Sequence, residues 1–176
     1  MKIMVLSDIH GKADSLQKAL EIYKKEGFER LFLLGDVMYH GPRNPLPDGY
    51  EPPSVADLLN PFAGQITAVR GNCDSEVDQM LIDFPILADF ALYQEGNLTY
   101  HLSHGHLGEE RIGKANKGEI RLSGHTHIPL WEEKEGVFYG NPGSLSLPKG
   151  GFPPSYGVLE AGKLTVINLN NGEVIL

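Results

Sequence analysis

Five short stretches of the chain each set metal-binding side chains beside a glycine or a sharp turn. They are Asp8-Ile9-His10, Gly35-Asp36, Gly71-Asn72-Cys73-Asp74, Ser103-His104-Gly105-His106 and Ser123-Gly124-His125-Thr126-His127. Carboxylate oxygens, imidazole nitrogens and an amide oxygen are donors that first-row divalent cations accept. In Asp8-Ile9-His10 the two donors are two residues apart, so on extended backbone both point the same way. Each stretch follows an apolar run that reads as a β-strand. Five strand ends can therefore bring carboxylates, imidazoles and one amide to a common edge, which is how a two-metal hydrolytic centre is built.

The elements that must position these groups are legible in the hydrophobic pattern. Ile3 to Leu6 is a continuous apolar run, as in a strand buried on both faces. A helix follows from about Asp14, with Leu16, Ala19, Leu20 and Tyr23 on one face and Gly27 placed to end it. Arg30 to Leu34 is the second strand and completes a βαβ unit. Ile66 to Val69 is the third, ending at the Asn72 turn. Phe90 to Tyr93 and Leu98 to Leu102 form a hairpin about Gly96-Asn97. Short strands then recur at Ile120–Leu122, Val137–Tyr139, Tyr156–Leu159, Leu164–Ile167 and Val174–Leu176, a mixed sheet packed against the parallel one.

Between the second and third strands the pattern breaks. Gly41 to Pro61 holds six of the chain's twelve prolines and room for one short helix near Ser54 to Asn60, with Ser54 as its cap. Proline density makes a loop stiff. Because it leaves directly from Asp36, it is expected to be an ordered lid or substrate wall.

Composition narrows the classes. At 176 residues, 41% hydrophobic and 22% charged, the chain is expected to be one domain, residues 1–176, with a substantial core. A net charge of −8 argues against an extended nucleic-acid surface. Cys73 is the single cysteine, so no internal disulfide can form, which fits a reducing compartment. The opening apolar run is too short for a signal peptide, and no stretch approaches the ~20 apolar residues of a membrane span. A cytoplasmic protein without membrane contact is expected.

The order D-x-H, G-D, G-N, H and G-H-x-H resembles the calcineurin-like metallophosphoesterase superfamily from Asp8 to His127. Tyr39-His40-Gly41-Pro42-Arg43-Asn44-Pro45, Asn72-Cys73-Asp74 and Asn141-Pro142-Gly143-Ser144 bring it closer still to the small bacterial phosphodiesterases within that superfamily. The resemblance implies an α/β fold, a two-sheet sandwich of mixed β-sheets flanked by helices. It implies two divalent metal ions, one on Asp8, His10, Asp36 and His127, the other on Asp36, Asn72, His104 and His125, with Asp36 bridging. It further implies attack on phosphorus by a dimetal-activated hydroxide, without a covalent enzyme intermediate. The expected metal is Mn²⁺, since mixed N/O ligands suit several first-row ions, with iron and zinc as alternatives.

Two cations at +4 against Asp8, Asp36 and hydroxide at −3 leave the centre near +1, matched to a small phosphodiester monoanion. Arg43 and Arg70 are candidates for the added charge that a monoester dianion would require. Cys73 stands where the wider superfamily has a histidine over the leaving group, and a thiol is the poorer donor; good leaving groups are therefore expected. His106 and His40 are the other candidate catalytic or substrate-contacting residues. His101, alternating within a strand, is expected to be packed. The competing readings are a phosphomonoesterase or nuclease on the same centre, and a binding scaffold of this fold. A scaffold would be expected to lose ligands, and all seven are present. A homo-oligomer is possible through the apolar edge near Phe84 to Phe90.

Overall fold

The computed structural model describes residues 1–176. Two five-stranded mixed sheets face each other. The first is built on β1 (Lys2–Leu6), β2 (Arg30–Leu33) and β3 (Ile66–Ala68), parallel to one another. The second holds β4 (Phe90–Glu95), β5 (Leu98–Ser103), β6 (Ile120–Leu122), β7 (Leu130–Lys134) and β8 (Val137–Asn141), in the order β4-β5-β6-β8-β7. Helices α1 (Ala13–Lys25) and α2 (Pro52–Leu59) cover the outer face of the first sheet; α3 (Glu76–Gln79) and α4 (Glu109–Ile112) are single turns. No helix is long and apolar enough to cross a membrane.

The pleat of β1 explains why its run is apolar throughout. Ile3 and Val5 enter the core between the sheets with Phe32, Leu34, Tyr100 and Leu122. Met4 and Leu6 point the other way, into a core with Leu16, Leu20, Val55 and Leu59 of the two helices. A central strand with helices on one face and a second sheet on the other has no wet side. Helix α1 buries the predicted stripe of Leu16, Ala19, Leu20 and Tyr23, and Gly27 follows its end at φ +69°, a left-handed position suited to glycine.

Four details of the C-terminal half and the loop differ from the pattern reading. Strands β9 (Ser155–Glu160) and β10 (Lys163–Asn168) do not join the second sheet. They return as a hairpin to the open edge of β1, giving the order β10-β9-β1-β2-β3. The sheet that begins as a βαβ unit is therefore mixed. Strand β7 gave little signal because Glu132, Glu133 and Lys134 dominate it, as suits an outer edge strand. Val174 makes only an isolated bridge to Ile167. Helix α2 starts with Pro52 and Pro53 in its first turn after Glu51, rather than with Ser54 as cap, because proline's missing N–H costs nothing there.

Candidate metal centre

All five donor stretches lie where strands end, and the chain turns there through unusual backbone. Asp8, His10, Asp36, His125 and His127 are five of the seven non-glycine residues with positive φ; Glu135 and Ala161 are the others. Left-handed backbone is unfavourable for residues with a Cβ and persists where surrounding structure enforces it. Here hydrogen bonds from Asp8 N to Gly35 O, His10 N to Asp36 O and Gly11 N to Val37 O clamp the β1 turn to the β2 turn. The β3 turn is held by Asp74, whose buried carboxylate accepts N–H bonds from Asp36, Val37 and Gly71 at 2.7–2.8 Å. Gly71 must be glycine: a Cβ there would lie 2.1 Å from Asp36 Oδ1.

The buried side chains converge. His10, His104 and His127 each use Nδ1 to reach a backbone carbonyl, of Tyr39, Leu34 and Leu147 respectively. A carbonyl only accepts, so each Nδ1 carries the proton and each Nε2 lone pair faces inward. The Nε2 atoms of His10 and His127 stand 3.4 Å apart. Asp8 Oδ2 is engaged by Ser7 Oγ and by the His125 N–H, at 2.7 and 3.0 Å. Asp8 Oδ1 is fully buried with no hydrogen-bond partner, 3.1 Å from His127 Nε2 and 3.6 Å from His10 Nε2. Asp36 accepts from the Cys73 N–H through Oδ1 at 2.8 Å and places Oδ2 3.5 Å from His104 Nε2. Asn72 Oδ1 is 3.1 Å from the same nitrogen.

Lone pairs and carboxylates packed this closely require positive charge among them. The titration behaviour of the metal-free cluster reflects that need. Burial works against the charged form of His104, yet Asp36 and Asp8 outweigh it and push its pKa up to about 9. Burial likewise opposes the Asp8 carboxylate, but His10 and His127 hold it far below the usual carboxylate range. A divalent cation satisfies the same oxygens and nitrogens without protons. Donor sets within 4.8 Å of one another are Asp8, His10 and His127; Asp8, Asp36 and His104; and His10, Asp36 and Cys73. The residues thus fit metal ions, with carbonyl-anchored imidazoles of the kind that orient metal ligands.

The remaining predicted residues fall at different distances from this core. His125 is half-buried, its ring 5.1 Å from that of His104 and outside the three tight sets. His106 packs edge-on against His104 at 5.3 Å and is absent from the lining of the adjoining cleft. His40 lies between the rings of Tyr39 and Tyr50, at 4.8 and 5.3 Å, and is not a lining residue either. Cys73 does line the cleft, with its Sγ 3.2 Å from Asn72 Nδ2. Burial and then Asp36 push its thiol up to about 12, so it stays protonated. His101 is packed, stacked on Phe90 and bonded to Ile112 O.

The cleft encloses about 1020 Å³ and opens onto Asp36, Asn72, His125 and His127. The proline-rich segment forms one wall through Tyr39, Pro42, Arg43 and Tyr50, and α3 contributes Val77 and Asp78. Lys149 completes it and was invisible in the motif pattern; it is placed by its own N–H bond to His127 O. Likewise, Ser144 and Ser146 donate to Asp8 O at 2.8 and 3.0 Å, so the Asn141-Pro142-Gly143-Ser144 turn braces the β1 end.

Residues 1–163 match the calcineurin-like phosphoesterase superfamily domain. Phosphodiesterase YfcE of Escherichia coli K12 is 48% identical over 176 residues, spanning 99% of this chain and 96% of that protein. The solved structure of an E. coli phosphoesterase, YfcE, superposes with a TM-score of 0.95 at 47% identity, covering 100% of this chain and 97% of that one. A phosphodiesterase of Methanocaldococcus jannaschii is 28% identical over 93% of this chain and 95% of its own. At the level of fold alone, Vps29 of Entamoeba histolytica matches with a TM-score of 0.68 at 20% identity, over 99% of this chain and 96% of that one. The chain belongs to the calcineurin-like phosphoesterase superfamily.

Proposed function

We propose that this superfamily member is a metal-dependent phosphodiesterase, with Asp8, His10, Asp36 and His127 holding one divalent ion and Asp36, Asn72, His104 and His125 a second. The observation that carries the reading is the buried, unpartnered Asp8 Oδ1 facing inward-turned Nε2 atoms. The phosphodiesterase activity named for the 48%-identical relative supports it. Mn²⁺ is the proposed metal, and the cytoplasm the proposed location.

When bound, such ions supply an activated water and stabilise charge on phosphoryl oxygens. The chain's own residues do the rest. Asp74 ties the Asp36 and Gly71 turns together, so that Asp36 and Asn72 keep their relative position. Asn72 presents its Oδ1 towards the centre while its Nδ2 is turned to Cys73. Cys73 offers only a weak S–H donor beside the leaving group. Tyr39 and Tyr50 line the wall on which the substrate's organic arm would rest.

The test is hydrolysis of bis(4-nitrophenyl) phosphate, 4-nitrophenyl phosphate and DNA by metal-stripped protein, with and without Mn²⁺. Mn²⁺-dependent turnover of the diester above the other two is expected. Preference for the monoester or for DNA would move the assignment to the competing enzymes, and no turnover despite bound metal would favour a scaffold.

A further inference from the structure

Within the phosphodiesterase reading, on which this inference rests, the cleft has more charge and space than a simple diester needs. A cavity of about 1020 Å³ is at the top of the ~300–1,000 Å³ range that accommodates drug-sized ligands. Its carboxylates are already engaged. Asp36 belongs to the metal edge, Asp74 accepts three backbone N–H groups, and Asp78 is bound by Ser75 through N–H and Oγ at 2.8 and 2.9 Å. Its two cations are not. Arg43 and Lys149 are exposed and form no ion pair or side-chain hydrogen bond.

The two cations come from separate parts of the chain. Lys149 stands on a loop bonded to His127 O. Arg43 stands on the proline-rich segment, which packs so closely on Cys73 that a Cβ at Gly41 would meet its Sγ at 2.9 Å. In a chain of net charge −8, two unpaired cations lining one cleft give it free positive charge for an anion to meet. Tyr39, 40% exposed on the same lining, offers an aromatic face for an organic arm. The wall residue Cys73 adds a further constraint. A weak S–H donor gives little help to an alkoxide, so the group that leaves must carry its own charge well.

We propose that Arg43 and Lys149 form a second-anion subsite and that the substrate class is a pyrophosphate diester, two organic arms joined through P–O–P. In the reaction the oxygen of water bonds to the phosphorus at the metal edge. The bridging P–O bond breaks, and its electron pair stays on the bridging oxygen, which becomes part of the departing phosphate monoester. The products are two phosphate monoesters, and the water's protons pass to them or to solvent. The departing phosphate carries its own negative charge, which Arg43 and Lys149 meet with charge-assisted hydrogen bonds.

The test uses metal-loaded protein and the variants Arg43→Met, Lys149→Met and both together, whose exposed side chains leave folding intact. Calorimetry with a methylene-bridged nucleoside diphosphate sugar reads binding without turnover. Kinetics compare kcat/KM for the oxygen-bridged form of the same nucleoside diphosphate sugar with that for bis(4-nitrophenyl) phosphate. Each substitution is expected to weaken analogue binding about 10-fold and to lower the kcat/KM ratio of the two esters by a similar factor. Unchanged analogue binding, or an unchanged ratio, overturns the subsite. A loss concentrated on 4-nitrophenyl phosphate also overturns it, because the cations would then serve a monoester dianion. Strong analogue binding that depends on both cations, in a protein that hydrolyses no diester, would support the subsite and sink the phosphodiesterase reading instead.

Discussion

Stripping the metal should make the protein's stability fall with rising pH, and the size of the fall follows from His104. Its pKa is raised from 6.5 to about 9 in the metal-free chain, against burial, by Asp36 and Asp8. A histidine with a raised folded-state pKa gives stability that is fully present below pH 6.5 and lost as pH climbs through 9. At ~1.4 kcal/mol per unit the loss is about 3 kcal/mol. For a chain of this size, where 1 kcal/mol moves the midpoint ~2–4 °C, that is a drop of ~6–12 °C. His10 shifts in the same direction. Burial and then the neighbouring His104 shift His125 and His106 the opposite way, an effect nearly complete by pH 6.5; the lowered Asp8 and Asp36 matter below the ordinary carboxylate pKa of 3.8. Asp74, raised to about 6, acts between there and pH 6, and Cys73 acts above pH 9. Metal ions need the unprotonated Nε2, so the loaded protein keeps its positive charge as pH rises. The amino terminus paired with Glu95 titrates in both forms and cancels from their difference. The assay is thermal unfolding with Mn²⁺ and with chelator at pH 6.5, 7.5 and 9. With His104 still half protonated at pH 9, the gap between the two midpoints should widen by ~5–10 °C, and His104→Gln should remove most of the widening. A gap that stays constant or narrows refutes the argument that protons and metal ions compete for these nitrogens.

Four further outcomes are expected. His125→Ala, at a half-buried position outside the tight donor sets, should lower diester turnover at least ~100-fold while leaving the melting midpoint nearly unmoved; retained turnover would remove His125 from the centre. Cys73→His should raise turnover of esters with poor leaving groups by ~10-fold or more, the lower end of what a positioned proton donor contributes. An unchanged dependence on leaving-group pKa would show that Cys73 does not face the departing oxygen. Asp74→Asn leaves one carbonyl oxygen for three backbone N–H groups and should cost ~1–3 kcal/mol in denaturant unfolding; an unaltered midpoint would mean the turns hold without it. Phe84 and Ile86 are buried in the core, so of the edge expected near Phe84 to Phe90 only its Phe90 end, on the outer strand β4 with Leu92 59% exposed, is open to a second copy; if copies of the chain pair there, Leu92→Lys should convert the assembly to monomer in light scattering. A wild-type monomer would dismiss that edge.

What the sequence disclosed, and what it withheld, follows the range of each interaction. The proposed donor residues stood out because a metal centre needs particular atoms in a particular order, and the β1, β2 and β3 ends each carry theirs within four residues. The core strands were legible because burial on both faces leaves no polar position, as Ile3 to Leu6 demonstrate. The return of β9 and β10 to β1 was not legible. Their alternation fits either sheet, and the choice depends on which edge is open, a property of the assembled fold. Lys149 was hidden for the same reason: nothing near it in sequence marks it, and one backbone hydrogen bond to His127 brings it to the cleft. His40 shows the converse. Its place near Asp36 in sequence suggested substrate contact, whereas its ring packs against those of Tyr39 and Tyr50, which line the cleft in its place. Beyond a strand end the backbone leaves the extended path, Asp36 having φ +54°, so nearness in sequence to a ligand does not fix which way a side chain points. The chemistry of this centre is therefore written locally, whereas its selectivity depends on long-range placement. Changes confined to Arg43 and Lys149 should alter which ester is taken without disturbing the donor set that Asp74 and the carbonyl-anchored histidines maintain.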